Sequence, residues 1–367
     1  MSSDVDPVDP VDPVDWSLAR QTAWQLAPAG PRLPRAEVFG AVAELRALAR
    51  ESVAPVAEVT GLSAPASQAA HVVDRRGWIA SNVAALRVGL GPLLEAEQGS
   101  SWLGSLGDAP AVRRVSAGAL GVQLGAALAW LSTKVLGQYE IFTTPRSSAS
   151  ADGAEEGPRL LLNAPTIIAV ERRLGVPARD FRLWVCLHEQ THRLQFATAP
   201  WLSDEIRALL AKFLSATEDG LSGVLERASR AVRAGSGDDT SIVERLQSPE
   251  QRVVFDRITA LMSVLEGHAD VVMDDVGPSV VPSVAIILER FNARREHPVG
   301  LDAVVRKALG LDLKAKQYRE GAMFVRGVID EVGMTGFNRI WTGPQALPSR
   351  AELARPGAWV HRMAQAA

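Results

Sequence analysis

The sequence predicts a mainly α protein of the α+β class, a helical body with one small β-sheet. Three observations carry this expectation. Apolar residues recur at helical spacing through most of the 367-residue chain. Strand-like stretches are confined to QYEIF (138–142) and PRLLLNAPTIIAVE (158–171). A composition that is 47% hydrophobic and 22% charged is enough to bury a substantial core.

In chain order, Asp-Pro-Val repeats over residues 4–15. Proline at every third position removes donors and blocks helix, so residues 1–15 are expected to be a disordered, extended tail. Order should begin near Trp16, with Trp16, Ala19, Ala23 and Leu26 on one helical face. PAGPRLP (28–34) ends that helix. An amphipathic helix follows over 35–54, with Val38, Val42, Leu45, Leu48 and Ala49 on its apolar side. Further helices are expected at about 74–97 and 110–137. The two strand-like stretches suggest a hairpin or meander, joined by a Ser/Gly/acidic loop over roughly 145–157.

Helix returns after Pro177, with Asp180 as its expected N-terminal cap. The stretch 204–233 reads as helix, AGSGDDTS (234–241) as a flexible link and 249–273 as a long helix. Helices are expected again at about 284–296, 301–309 and 314–332, before a loop and a short terminal helix. No internal repeat is evident. The organisation expected is a single domain, 16–367, of two lobes: a helical lobe over about 16–137, then the sheet and the helices of the candidate site over 138–367.

Net charge is −3, so no basic field for nucleic acid or anionic lipid is implied. The single cysteine, Cys186, excludes an internal disulfide and fits a reducing compartment. The N-terminus lacks the pattern of a signal peptide. The most apolar run, AGALGVQLGAALAWLSTKVLG (117–137), carries Gln123 and reads as a buried core helix. A cytoplasmic protein without membrane or nucleic-acid partners is the expectation. The sequence assigns no oligomeric state.

Chemistry concentrates in LHEQTHRLQF (187–196). On a helix, residues i and i+4 lie one above the other, so His188 and His192 can turn their imidazoles to one Zn²⁺. Glu189, next to the first of them, could take a proton from water activated there. The alternative is a core helix bearing two histidines. Arg193 follows where zincin peptidases usually carry an uncharged residue. It could meet a substrate carboxylate, but a surface salt bridge is the simpler reading.

A third ligand is offered by VLEGHADVVMDD (264–275). In the thermolysin-type (gluzincin) arrangement a second helix brings a glutamate ligand, and an aspartate four residues later hydrogen-bonds a ligand histidine. Glu266 and Asp270 have that spacing, and such a carboxylate would fix the imidazole's tautomer. An ordinary surface pair is the alternative. His268 is two residues from Glu266 and cannot share its helical face. It could line the cleft as an electrophile for a tetrahedral intermediate, or simply sit on the helix surface.

On these residues the sequence resembles the actinobacterial zincin-like metallopeptidase type 2 family, formerly a domain of unknown function. The resemblance spans about 16–362 through DWSLARQTA, VTGL, VVDRRGWIASN, VLGQYEIF, LHEQTHRLQF, LEGHADVVMD and GFNRIWTGPQALPSRAEL. It implies a zincin-like fold with the sheet beside the active-site helix, one Zn²⁺, and His188, Glu189, His192 and Glu266 in the metal-site roles. Members are described as hydrolases, and one branch as coenzyme F420 biosynthesis-associated. No phosphate-cradling glycine loop or flavin fingerprint is present here to carry the F420 label.

Zincin-fold enzymes pair extended substrate with an edge strand, and RLLLNAPTIIAV is the expected strand, with Asn163 as a polar contact or a turn former. Tyr318 and Tyr139 are the two tyrosines. Either could donate to an oxyanion; Tyr318 is the candidate named for that role, though a helix-packing tyrosine is the commoner reading. The leading expectation is a zinc-dependent hydrolase acting on a peptide or amide of unknown identity. The alternative is an inactive zincin-fold metal-binding or scaffold protein, with an accessory role in F420 metabolism as one form of it.

Overall fold

The computed structural model describes residues 12–63, 69–98, 110–142, 158–215, 249–296 and 311–366. The elements are α1 (Trp16–Leu26), α2 (Arg35–Glu51), α3 (Val53–Thr60), β1 (His71–Val73), α4 (Arg75–Gln98), α5 (Pro110–Leu131), β2 (Gly137–Glu140) and β3 (Arg159–Asn163). After these come α6 (Ala164–Leu174), α7 (Ala178–Thr198), α8 (Trp201–Ser215), α9 (Pro249–Val280), α10 (Val284–Glu296) and α11 (Leu311–Phe337). Two 3-10 turns (Asn338–Thr342, Pro344–Ala346), α12 (Arg350–Leu353) and α13 (Pro356–Gln365) close the chain. The mainly helical class with one small sheet holds. The expected loop at 145–157, the link at 234–241 and the helix at 301–309 lie outside the described residues, as do residues 1–11 and helix beyond Ser215.

Val14 and Asp15, expected in the extended tail, take part in the fold. Val14 is buried, and Asp15 caps α1 by accepting from the Leu18 N–H at 2.9 Å. That bond, with the Ser17 hydroxyl, holds the Asp15 carboxyl below its ordinary pKa. Helix α1 lies so close along α5 that a Cβ at Gly121 would stand 2.6 Å from the Asp15 carbonyl oxygen. At Gly125 it would stand 2.5 Å from that of Ala19. The expected core helix is therefore buried on one face only. Ala117, Leu128 and Ala129 are covered, while Val115 is 74% exposed among the described residues.

The sheet has three strands in the order β1-β3-β2. β3 runs parallel to β1 (Val72 opposite Leu162) and antiparallel to β2 (Tyr139 opposite Leu160). Two sequence expectations change here. β1 was not anticipated, and PRLLLNAPTIIAVE is a strand only as far as Asn163. From Ala164 it is helix α6, because Ile167, Ile168, Val170 and Leu174 are buried at helical spacing and Gly175 ends the run with φ 63°. β3 is thus the central strand, and the edge beside the site is β2.

Helix α7 is buried on nearly every side. Phe181, Leu183, Val185, Cys186, Leu187 and Leu194 are all at or below 1% exposed, which marks a central core helix. Its N-cap is Pro177 and not Asp180. Asp180 sits in the first turn and accepts from the Ser283 N–H (3.0 Å) and hydroxyl (2.6 Å), tying α7 to the start of α10. Arg182 bridges Glu171 of α6, at 2.6 Å, and Glu44 of α2. Helix α2, expected with the N-terminal helices, and α3, a separate helix the sequence reading did not anticipate, join the core around α7 through Leu45, Leu48, Ala49 and Val56. Val38, expected on the apolar face of α2, is 43% exposed.

Helices α9 and α11 cross backbone on backbone. A Cβ at Gly267 would meet the Gly321 carbonyl carbon at 2.3 Å, and one at Gly321 would meet the Ser263 oxygen at 2.0 Å. Helix axes usually pack 8–10 Å apart because side chains hold them off, and two glycines here remove that spacer. The crossing lies one residue from Glu266, so helix packing sets the depth of that carboxylate.

Candidate metal centre

His188 and His192 fall on one face of α7 because the helix repeats every 3.6 residues. Their Nε2 atoms are 3.2 Å apart, with the rings at 89° to one another. Glu266, from the middle of α9, places one carboxylate oxygen 3.6 Å from His188 Nε2 and the other 3.6 Å from His192 Nε2. These are the one group of three potential metal ligands among the described residues. A tetrahedral zinc with bonds of roughly 2.0–2.2 Å holds its donor atoms roughly 3.3–3.6 Å apart. Two imidazole nitrogens and one carboxylate at these separations fit Zn²⁺ in number, type and distance. Trp184, one turn before His188, stacks on its ring at 6.4 Å between centroids.

Glu189 is 6% exposed and packs against Gly137 of β2. Burial raises its carboxyl pKa to about 7; nearby His192 lowers it and Glu266 raises it further. Room for it comes from Gly137. A Cβ there would stand 2.7 Å from Glu189 Cγ and 2.9 Å from its Oε1. Gly137 was missed in sequence, although a glycine at the head of a strand signals close approach of another group. Gly137→Ala is expected to displace the carboxylate, leaving zinc content unchanged and lowering turnover by about 10–100-fold. Paired metal analysis and kinetics check this.

Tyr139, two residues on, shares the strand face of Gly137. Its ring lies 5.8 Å from that of Phe196 on α7. Burial raises its pKa, and Arg193 opposes that rise. Arg193, expected at the surface, is 8% exposed and lies near this phenol. Tyr318 lies on α11, but its side chain is outside the described residues.

His268 does not line a cleft. It is fully buried, stacked on Phe337 at 5.1 Å and near Trp341 at 5.5 Å, and burial lowers its pKa to about 3. The side chain is therefore on neither a cleft wall nor the helix surface, the two positions the sequence offered for it. Asn163 is likewise committed elsewhere. Its amide donates to the Ser132 (2.8 Å) and Val135 (3.0 Å) carbonyls, tying β3 to the turn before β2 instead of meeting substrate. Asp270 is half-buried on α9, one turn beyond Glu266. His192 Nδ1 is met by Gln195, at 2.9 Å on the same helix. Sequence reasoning missed Gln195, although i, i+3 residues are helix neighbours.

A family model described as "Zincin-like metallopeptidase" matches residues 14–360. Among solved structures, the chain is similar to a candidate hydrolase with a novel fold from Chloroflexus aurantiacus. The identity is 32% and the TM-score 0.63, covering 96% of this chain and 99% of that one. No curated protein matches.

Proposed function

The chain belongs to the zincin-like metallopeptidase family, and from that premise we propose that it is a zinc-dependent hydrolase of peptide or other amide bonds. The observation that carries this reading is the convergence of His188, His192 and Glu266 beside a buried glutamate that no ligand role requires. When bound, Zn²⁺ supplies acidification of water and polarisation of a carbonyl. His188, His192 and Glu266 would hold it. Glu189, with a pKa near neutrality, takes the proton of the attacking water and passes it to the leaving amine. The edge strand β2 offers backbone groups to an extended substrate, and Tyr139 is the phenol proposed to donate to the developing oxyanion.

An inactive zincin-fold scaffold is the competing reading. A scaffold needs the ligands but gains nothing from a buried carboxylate, which is costly to keep unless it works. The test is elemental analysis of wild type beside His188→Ala and Glu266→Ala. One zinc per chain, lost in both variants, is the expected result. Full zinc in Glu266→Ala would remove it as a ligand, and no zinc in the wild type after metal is offered would sink the reading.

A further inference from the structure

We propose that Gln195, clamped by Leu265 and His268, is a positioning residue that fixes His192 in the tautomer able to ligate metal. The inference rests on the zinc-site reading above. Gln195 is fully buried, and its Nε2 lies 2.9 Å from the Leu265 carbonyl oxygen. That oxygen can only accept, so it identifies the amide nitrogen without ambiguity. The same Nε2 lies 3.0 Å from His268 Nδ1, which must therefore accept the second amide hydrogen. The other end of the amide is then the oxygen, 2.9 Å from His192 Nδ1. An oxygen there requires Nδ1 to carry hydrogen and leaves His192 Nε2 as a bare lone pair. That nitrogen is the one facing His188 Nε2 at 3.2 Å and Glu266 at 3.6 Å.

One backbone carbonyl thus sets the hydrogen positions on two imidazoles. Leu265 directly precedes Glu266, so the element that brings the carboxylate ligand also orients the histidine ligand. Packing of His268 between Phe337 and Trp341 keeps its Nδ1 aimed at the amide. The arrangement does for His192 what a carboxylate does in other zinc sites, but with a neutral group.

The test uses the full chain in two measurements. Zn²⁺ affinity is read by competition with a chromophoric chelator. The His192 tautomer is read by long-range proton–nitrogen NMR of metal-free protein labelled at its six histidines. Gln195→Met keeps length and removes the hydrogen bonds. It is expected to weaken Zn²⁺ binding by about 10–100-fold and to release His192 from the Nδ1–H form. His268→Asn places an acceptor oxygen near the lost Nδ1 and should bind Zn²⁺ nearly as wild type, while His268→Leu should bind more weakly. Wild-type affinity or an unchanged His192 tautomer in Gln195→Met overturns the proposal. If that variant does not fold, equal affinities of the two His268 variants overturn it. Wild type that binds no Zn²⁺ would defeat the hydrolase reading, and the spectra of metal-free protein would still decide the tautomer.

Discussion

Glu189→Gln is expected to keep the full zinc content and lower amide hydrolysis by about a thousandfold, the usual scale for loss of a general base. Glutamine matches the shape of the carboxylate against Gly137 but cannot take a proton. The metal ligands are untouched by the change. A scaffold would show no change in function at equal metal content, so activity and zinc measured on one preparation separate the two readings.

The same variant has a signature in stability that needs no substrate. In metal-free protein the Glu189 carboxyl titrates near 7, against an ordinary 4.5, because burial disfavours its charge. The folded state therefore holds this proton more tightly than the unfolded state does. Its contribution is fully present below pH 4.5 and is lost as pH rises through about 7. The full span is on the order of 3 kcal/mol. The glutamine side chain does not titrate, so the stability of the variant relative to wild type should grow from about pH 5 to about pH 8. Chemical unfolding with chelator present measures it. A difference that is flat with pH would mean that Glu189 is not buried as a carboxyl.

Gly321→Ala is expected to be the most damaging glycine-to-alanine change among the described residues. The new Cβ would stand 2.0 Å from the Ser263 oxygen and 2.7 Å from its carbonyl carbon, both backbone atoms that no rotamer change can move. Helices α9 and α11 must separate, at a cost of about 3 kcal/mol or more. Glu266 sits one residue from the crossing partner Gly267, so separation also draws a ligand away from the histidines. Stability and Zn²⁺ affinity should fall together. Gly277, with no atom within 4 Å of an added Cβ but with φ 67°, is the useful contrast: its substitution strains the backbone and should leave metal affinity alone.

What the sequence by itself determined is what local geometry controls. His188 and His192 face one way because the helix period is 3.6, and that required only that 178–198 be helical. Glu266 was legible as a candidate because a second apolar-periodic helix carried it. The strand-like reading of NAPTIIAVE failed because a short apolar run suits a strand and a buried helix equally, and only its neighbours decide. Tertiary structure alone decided the rest. Strand order placed β2, not β3, at the edge beside α7, and so turned Gly137 toward Glu189. Bringing α9 against α7 gave Gln195 a backbone carbonyl 70 residues away and made it the partner of His192. Periodicity reports which face of an element is apolar. Which polar atoms meet across two elements depends on how those faces pack, and that is a property of the folded chain.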